Sequence, residues 1–430
     1  MIRYLAIALA IVITSLYYFP IIFSFFPIAN TKLILASVGL VLFGVEIAKS
    51  RSGTLNKDLL IISAYALIFS LVCLFSVVWN NTSDYAYASY IVSMWVWLSG
   101  AYVVSRAIKL LHGSVSFNVL CHYLIIVCVI QCILALAIDM NPTFKTFIDT
   151  YILQDQEFLN KVNRLYGIGA MLDTAGIRFS VVLVLLSALI TGHLGKNRNV
   201  MLYLYFIAYF IITVVGNMIA RTTTVGVLLS VIYIIYRQID YGNERPFSLK
   251  EVLSIIVIFL FVLTPLVIYF YETNAIIHKN IRFGFEGFFS LMEKGKWEVG
   301  SNETLKSMIV FPESLKTWLI GDGYFTNPIA TDPYFTGKVT GGYYMGTDIG
   351  YLRFIFYSGI IGLIAFSAFI CKVAFVCINR LPHKTLLLYF ILIINFIVWF
   401  KVSTDIFLVF ALFLMISRSE EEDKQLQHKI

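Results

Sequence analysis

Residues 347–363 read TDIGYLRFIFYSGIIGL, and this stretch decides how the chain is interpreted. It begins with a polar segment that contains Asp348 and continues into an apolar run in which Arg353 is the only charged residue. About 20 consecutive apolar residues are enough to cross a bilayer as an α-helix. Because ionisable groups near hydrocarbon cost free energy, Asp348 and Arg353 are interpreted as a functional site. The structural alternative is that Thr347 or Asp348 caps the N-terminus of the helix.

The same apolar character extends over the whole chain of 430 residues. Hydrophobic residues make up 59% of it and charged residues only 13%, which excludes an ordinary soluble protein. We therefore predict an all-α, polytopic membrane protein with a single integral membrane domain over residues 1–430. In such a chain the net charge of +7 reflects loop placement and gives no reason to expect nucleic acid. The six cysteines show no metal-ligand spacing, so neither a disulfide framework, a metal site nor a cofactor is expected.

Twelve apolar runs are candidate transmembrane helices. They cover residues 4–25, 33–48, 59–79, 86–105, 117–138, 179–194, 200–216, 221–236, 252–271, 349–371, 385–400 and 403–417. With both termini in the cytoplasm, the short outer turns hold only Lys32, Arg221 and Lys401, as the positive-inside rule requires. The first apolar run lacks a small-residue cleavage site, so we interpret it as a retained span.

Two predicted outer loops, residues 141–178 and 272–346, are too long to be simple connections. Both are rich in aromatic residues, which favours folded caps over flexible linkers. Within the second loop, residues 305–319 predict a short amphipathic element at the membrane surface. Residues 418–430 form a charged cytoplasmic tail to which we assign no role.

Five arginines fall on the predicted outer face: Arg164, Arg178, Arg221, Arg282 and Arg353. A guanidinium offers a planar fork that binds phosphate oxygens in pairs, so convergent arginines at a membrane surface suit a lipid-linked pyrophosphate. Structural alternatives remain for two of them. Arg178 lies at the start of a predicted span, where basic residues often snorkel as anchors. Arg164 is also consistent with an ordinary ion pair in a loop. Arg221 interrupts a long apolar region, and we expect it to be buried or to face a cavity.

Asp348 leads the candidates for proton removal, followed by Asp173, Glu286 and Asp322. Asp322 lies between two glycines, a pattern more typical of a turn. His122, within the fifth predicted span, is expected to pair with a nearby hydroxyl. The sequence has no nucleotide-binding loop, hydrolase elbow or paired acidic motif, which leaves reactions fed by an activated membrane lipid.

Three segments together resemble the O-antigen polymerases (Wzy type), within the wider family of O-antigen ligases and polysaccharide polymerases. They are GDGYF at 321–325, TDIGYLR at 347–353 and GIIG at 359–362, with ART at 220–222 and NRLYG at 163–167 as weaker matches. The resemblance implies a GT-C-like fold and an inverting, metal-independent glycosyltransferase of the bacterial inner membrane. Such an enzyme moves a growing glycan from undecaprenyl pyrophosphate to another lipid-linked repeat unit at the periplasmic face. It also implies membrane lipids and a chain-length regulator protein as partners.

Residue roles follow from the same resemblance. Arg221 and Arg282 would hold the pyrophosphate, and Asp348 would orient or deprotonate the acceptor. The remaining expected substrate contacts are Arg164, Arg178, Arg353, Asp173, Glu286 and Tyr351.

Two other functions stay open at this point. The first is an O-antigen ligase that hands finished polymer to lipid A-core. Family ligases rely on a histidine late in the large loop, and residues 280–350 contain none, which favours a polymerase. The second is a lipid-linked oligosaccharide flippase. The gathering of the arginines at one face below two large loops disfavours it.

Overall fold

The computed structural model describes residues 2–49, 57–154, 164–192, 198–240, 264–328 and 342–416, with the single positions 159, 254, 257 and 261. The chain divides into two compact units. Unit 1 comprises Met1–Ile34, Val104–Trp297 and Ile416–Ile430. Unit 2 comprises Leu35–Val103 and Glu298–Met415.

Helices dominate the described residues. In chain order they are α1 (Ile2–Tyr18), α2 (Thr31–Lys49), α3 (Lys57–Trp79), α4 (Tyr90–His112), α5 (Phe117–Met140), α6 (Pro142–Tyr151), α7 (Leu172–Ile190), α8 (Arg198–Ile219), α9 (Thr223–Asp240), α10 (Thr264–Thr273), α11 (Ala275–Gly284), α12 (Glu286–Lys294), α13 (Gly300–Ser307), α14 (Leu315–Leu319), α15 (Gly350–Arg380), α16 (Thr385–Val398) and α17 (Phe407–Phe413). Three short strands, β1 (Ile22–Phe23), β2 (Phe26–Asn30) and β3 (Ile152–Leu153), form one antiparallel sheet in the order β2-β1-β3.

Seven helices among the described residues are long and apolar enough to cross a membrane. They are α2, α3, α4, α5, α7, the Val200–Ile219 part of α8, and α15, and three shorter apolar segments accompany them. A chain whose described residues are mostly helical, with seven long apolar helices, has the architecture of a polytopic α-helical membrane protein.

Unit 1 is built around α7, whose residues from Ala175 to Ile190 are buried. Small residues allow its neighbours to approach closely, as is common where apolar helices pack. A Cβ at Gly226 of α9 would overlap the backbone of Ser180, and the hydroxyl of Ser180 accepts a hydrogen bond from the Gly226 amide at 3.1 Å. The start of α9 is therefore fixed against α7.

Unit 2 is built around α15, which is packed along α3 and broken once. At Gly359 the backbone takes φ 68° and ψ −175°, a conformation open essentially to glycine alone. A break of this kind leaves carbonyl groups just before it without their usual helical partners. The amides of Asp322 and Gly323 donate to the carbonyls of Phe356 and Tyr357 at 2.6 and 3.1 Å. The Gly-Asp-Gly segment thus completes the hydrogen bonding of the broken helix.

Several predicted boundaries differ from the observed ones. The helix expected at 179–194 begins at Leu172, so Arg178 lies inside α7 and the first predicted loop is shorter. The helix expected at 349–371 continues to Arg380, whereas the last predicted span, 403–417, contains only the seven residues of α17. The predicted amphipathic element at 305–319 is two short helices, α13 and α14, joined by non-helical residues.

Other predicted segments are only partly described. Helix α6 and strand β3 fold within the first predicted loop, and α11 to α14 fold within the second. Much of the predicted span 252–271, part of the loop 272–346 and the tail 418–430 lie outside the described residues. The count of twelve spans and the orientation of the termini stay predictions.

Candidate functional site

The turn between α8 and α9 places Arg221 at one end of three helices in unit 1. Its neighbour Thr222 lies against Gly176 near the start of α7, and the Thr222 carbonyl accepts a hydrogen bond from Ser180 at 2.9 Å. The Thr222 hydroxyl donates to the carboxylate of Asp173 in the first turn of α7. The N-termini of α7 and α9 therefore meet at this turn, and helix N-termini carry partial positive charge. The partial charges of two helix N-termini therefore lie beside Arg221, together with the carboxylate of Asp173.

Arg221 reaches the junction between α11 and α12. Its Nε donates to the carbonyl of Phe283 at 2.9 Å, and its Nη2 pairs with Glu286 at 2.6 Å. The guanidinium also lies over the Phe283 ring, 4.1 Å from the ring centre. These contacts fix the plane of the guanidinium, which a flexible lysine ammonium cannot reproduce. Arg221 was expected to be buried or to face a cavity, and its side chain is 16% exposed.

Arg164 shares the same aromatic ring. Its guanidinium carbon lies 5.2 Å from the centre of the Phe283 ring, and its buried Nε has no hydrogen-bond partner within the described residues. We call Arg164, Arg221, Phe283 and Glu286 the Phe283 cluster. Burial lowers the pKa of Arg221; Glu286 opposes this effect and Arg164 adds to it. Two guanidinia therefore lie on one ring.

Arg178 and Arg282, predicted to contact the same ligand, make other contacts. Arg178 is 9% exposed inside α7, and its guanidinium lies over Phe19 at 5.5 Å. Arg282 pairs with Glu293 through both Nη atoms, at 2.7 and 2.8 Å, on an exposed surface. This pairing raises the pKa of Arg282 and lowers that of Glu293. The structure therefore brings Arg164 and Arg221 together and engages the fork of Arg282 with a protein carboxylate.

In unit 2, Asp348 and Arg353 form an ion pair, with Arg353 Nη1 at 3.2 Å from Asp348 Oδ1. The capping interpretation of this end of α15 is wrong: the N-cap position is Ile349, which makes no side-chain cap hydrogen bond. The Thr347 hydroxyl accepts from the Ile349 amide at 3.3 Å, two residues away. Asp348 is therefore bound to a charged partner within α15.

Arg353 is held between two aromatic rings. Its guanidinium carbon lies 3.7 Å from the centre of the Phe325 ring and 3.9 Å from that of Tyr343. Its Nη2 donates to the Phe325 carbonyl at 3.3 Å, and only 6% of the residue is exposed. We call Arg353, Phe325, Tyr343 and Asp348 the Arg353 sandwich. In this position Arg353 connects the loop after Gly323 to α15, and a contact with substrate stays a prediction.

Asp322 has the turn role expected from its flanking glycines. Both glycines have positive φ, 83° at Gly321 and 73° at Gly323. The Asp322 carboxylate accepts from Lys316 at 2.9 Å, from Thr317 at 2.8 Å and from Tyr344 at 3.4 Å. Burial, together with the nearby Asp322 charge, raises the pKa of Tyr344, which keeps that phenol protonated.

Two further predictions concern single side chains. Tyr351 donates its hydroxyl to the Phe396 carbonyl at 2.9 Å and packs its ring on Trp399 and Phe400. His122 lies 2.7 Å from the Tyr205 hydroxyl, as predicted. All six cysteines carry free thiols.

Sequence reasoning missed the aromatic members of both clusters. Phe283 follows Arg282 directly, but nothing in the sequence singles out one phenylalanine among 36. Asp84 was also missed: its carboxylate accepts from the Phe325 and Thr326 amides at 2.8 and 3.2 Å across more than 240 residues. Hydrogen bonds between residues so far apart in the sequence are visible only in the folded structure.

Comparison with protein-family models, with curated proteins and with solved structures finds no match to this chain.

Proposed function

We propose that the protein polymerises oligosaccharide repeat units carried on undecaprenyl pyrophosphate, by inverting and metal-independent glycosyl transfer. The observation that carries the proposal is the Phe283 cluster, where two guanidinia lie on one ring beside the N-termini of two apolar helices. Fixed cations and helix N-termini are the groups that bind phosphate in proteins. Their position at the end of helices able to cross a membrane suits a phosphate group attached to a lipid.

The proposed reaction breaks the bond between the anomeric carbon and the pyrophosphate oxygen of the donor. An acceptor hydroxyl forms the new bond from the opposite face of the sugar, which inverts the anomeric configuration, and gives up its proton. The pyrophosphate leaves as an anion whose charge grows in the transition state. Preorganised cations at the leaving oxygens lower that barrier without a metal ion.

The second part of the proposal gives Asp348 the role of orienting the acceptor hydroxyl and receiving its proton. Its support lies within unit 2, where the Asp348 carboxylate is held in an ion pair with the buried Arg353. A carboxylate is able to act as the base, whereas a neutral carboxyl group is not.

The proposed topology has twelve spans in a GT-C-like arrangement, both termini in the cytoplasm and a site that faces the periplasm. The distribution of Lys and Arg among the short loops supports this orientation. A bacterial inner membrane and a chain-length regulator partner belong to the same proposal and rest on the family resemblance.

Deletion of the gene in its host, followed by electrophoresis of the surface glycan, tests the proposal. We expect a single repeat unit attached to the core in place of long chains, with restoration by the wild-type gene. Long polymer stranded on undecaprenyl pyrophosphate would instead indicate a ligase. Complete loss of surface-attached repeats would indicate a flippase, and an unchanged glycan would refute all three.

A further inference from the structure

In unit 2, the segment that follows α3 binds the segment before the Arg353 sandwich in a regular pattern. Three alternate side chains each contact a backbone group that lies 241 residues further along the chain. Because this offset is constant, the two segments run side by side in the same direction. The three contacts are Asn80 Nδ2 to the Gly321 carbonyl at 3.1 Å, the Thr82 hydroxyl to the Gly323 carbonyl at 2.9 Å, and the Phe325 amide to Asp84 Oδ2 at 2.8 Å.

Asp84, the last of these three residues, binds several groups at once. Its Oδ2 accepts from the Phe325 and Thr326 amides at 2.8 and 3.2 Å, and its Oδ1 accepts from the Ala86 amide at 3.1 Å. Hydrogen bonds from backbone amides to a carboxylate are stronger than those between neutral groups. Tyr357 of α15 donates its hydroxyl to the Asp84 carbonyl, so the backbone of Asp84 is fixed as well. Both carboxylate oxygens are therefore occupied by backbone amides of the protein.

The residues that Asp84 binds begin a short antiparallel stem. Thr326 pairs with Tyr343 in an antiparallel bridge. The two rings of the Arg353 sandwich therefore come from opposite sides of this stem, Phe325 from the residue before the bridge and Tyr343 from the bridge itself. The guanidinium lies between them, 3.7 and 3.9 Å from the two ring centres. The position of Arg353 thus depends on a stem whose first side is held by Asp84.

We propose that Asp84 is a positioning residue for the glycosyl transfer: it fixes the Arg353 sandwich through the Phe325 amide, and Arg353 in turn fixes the direction of the Asp348 carboxylate. This inference rests on the proposed function. The last contact in the series is the ion pair between Arg353 Nη1 and Asp348 Oδ1 at 3.2 Å. Asp84 has no part in the chemistry itself, because its oxygens bind backbone amides. A displacement of about 1 Å at a catalytic group is enough to lower a rate by about 100-fold.

Four variants test the proposal: Asp84→Ala, Asp84→Asn, Phe325→Ala, and the double variant with alanine at both positions. Asp58→Asn is the matched control, because Asp58 lies in the first turn of α3 and binds α15 through Arg380 at 2.8 Å, at the opposite end of α3 from Asp84. Each protein is purified in nanodiscs and checked for a single symmetric peak in size-exclusion chromatography. Hydrogen–deuterium exchange is then measured in peptides covering 321–327 and 342–350. Polymerisation kinetics are measured with undecaprenyl-pyrophosphate-linked repeat units.

We expect Asp84→Ala to speed exchange in both peptides and to lower kcat by about 10- to 100-fold, while KM changes by less than about threefold. Asp84→Asn keeps an oxygen that accepts from the Phe325 and Thr326 amides, so its kcat should stay within about fivefold of wild type. The double variant should be no slower than Phe325→Ala alone, because residues that act through one contact are not additive. Asp58→Asn should match wild type in the exchange of both peptides and in kcat.

Three results would overturn the inference and leave the proposed function standing. The first is unchanged exchange of both peptides in Asp84→Ala. The second is an equal loss of kcat in Asp84→Ala and Asp84→Asn, which would show that the charge of Asp84 is needed and not its hydrogen bonds. The third is a loss in the double variant equal to the product of the two single losses, or a loss of the same size in Asp58→Asn. Failure of the folded wild-type protein to polymerise repeat units would refute the inference together with the proposed function.

Discussion

The break in α15 at Gly359 supports a specific prediction about stability. At φ 68° and ψ −175° this residue has a conformation that costs any other residue about 1–3 kcal/mol. A Cβ added there would also overlap the carbonyl oxygen of Leu319. Backbone cannot move aside as a flexible side chain can, and overpacking of this kind costs about 1–3 kcal/mol more. Gly359→Ala should therefore lower the free energy of unfolding by about 2–6 kcal/mol.

A loss of this size is a large fraction of the stability of a typical domain, about 5–15 kcal/mol. Thermal unfolding of the purified protein in detergent, followed by size-exclusion chromatography, should show a midpoint about 5–15 °C below that of wild type. Gly44→Ala is the matched control, because Gly44 lies inside α2 and an added Cβ meets nothing within 4 Å. That substitution should be neutral or slightly stabilising, since alanine favours helix by about 1 kcal/mol over glycine. Equal midpoints for the two variants would refute the structural reasoning.

Three further predictions concern the site and the topology. Arg221→Lys should reduce polymer formation by about one to two decades, the effect of losing a charge-assisted contact of about 1.5–3 kcal/mol. Arg282→Lys should reduce polymer formation by less than about fivefold, because its ion pair with Glu293 is exposed to solvent. Similar losses in the Arg221 and Arg282 variants would contradict the separation of the two arginines. Asp348→Asn should abolish long-chain glycan and lower the thermal midpoint, because a buried guanidinium loses its charged partner; full-length glycan in this variant would rule out a catalytic carboxylate. Phosphatase fusions should report Lys296 outside and Leu381 inside, and a cytoplasmic Lys296 would overturn the topology.

Two local features of unit 2, the helix α15 and the turn at Asp322, were predictable because each depends on neighbouring residues in the sequence. Apolar length gives α15, and a glycine on each side of Asp322 gives the turn. Their relation to each other was not predictable, because the carbonyls released at Gly359 are satisfied by amides more than 30 residues earlier. Hydrogen bonds between distant segments have no signature in the spacing of a single sequence.

The start of α7 shows a different limit of sequence reasoning. Asp173 and Arg178 suggested a loop, because charged residues are expected outside apolar spans. Inside a bundle, however, a charged side chain can be satisfied by its neighbours. The Phe19 ring lies under the Arg178 guanidinium, and Asp173 binds the Thr222 hydroxyl. A hydropathy pattern does not show these partners. The predicted start of the helix was therefore seven residues too late.

The most direct test of the central claim is polymerisation by the purified protein in proteoliposomes. Undecaprenyl-pyrophosphate-linked repeat units from the host are supplied with a chelator present, and the products are separated by electrophoresis. We predict a ladder of polymer lengths with release of undecaprenyl pyrophosphate, and a reaction at least about tenfold slower with Arg221→Lys. Unchanged repeat units with correctly folded wild-type protein, or an undiminished ladder from the Arg221→Lys variant, would contradict it.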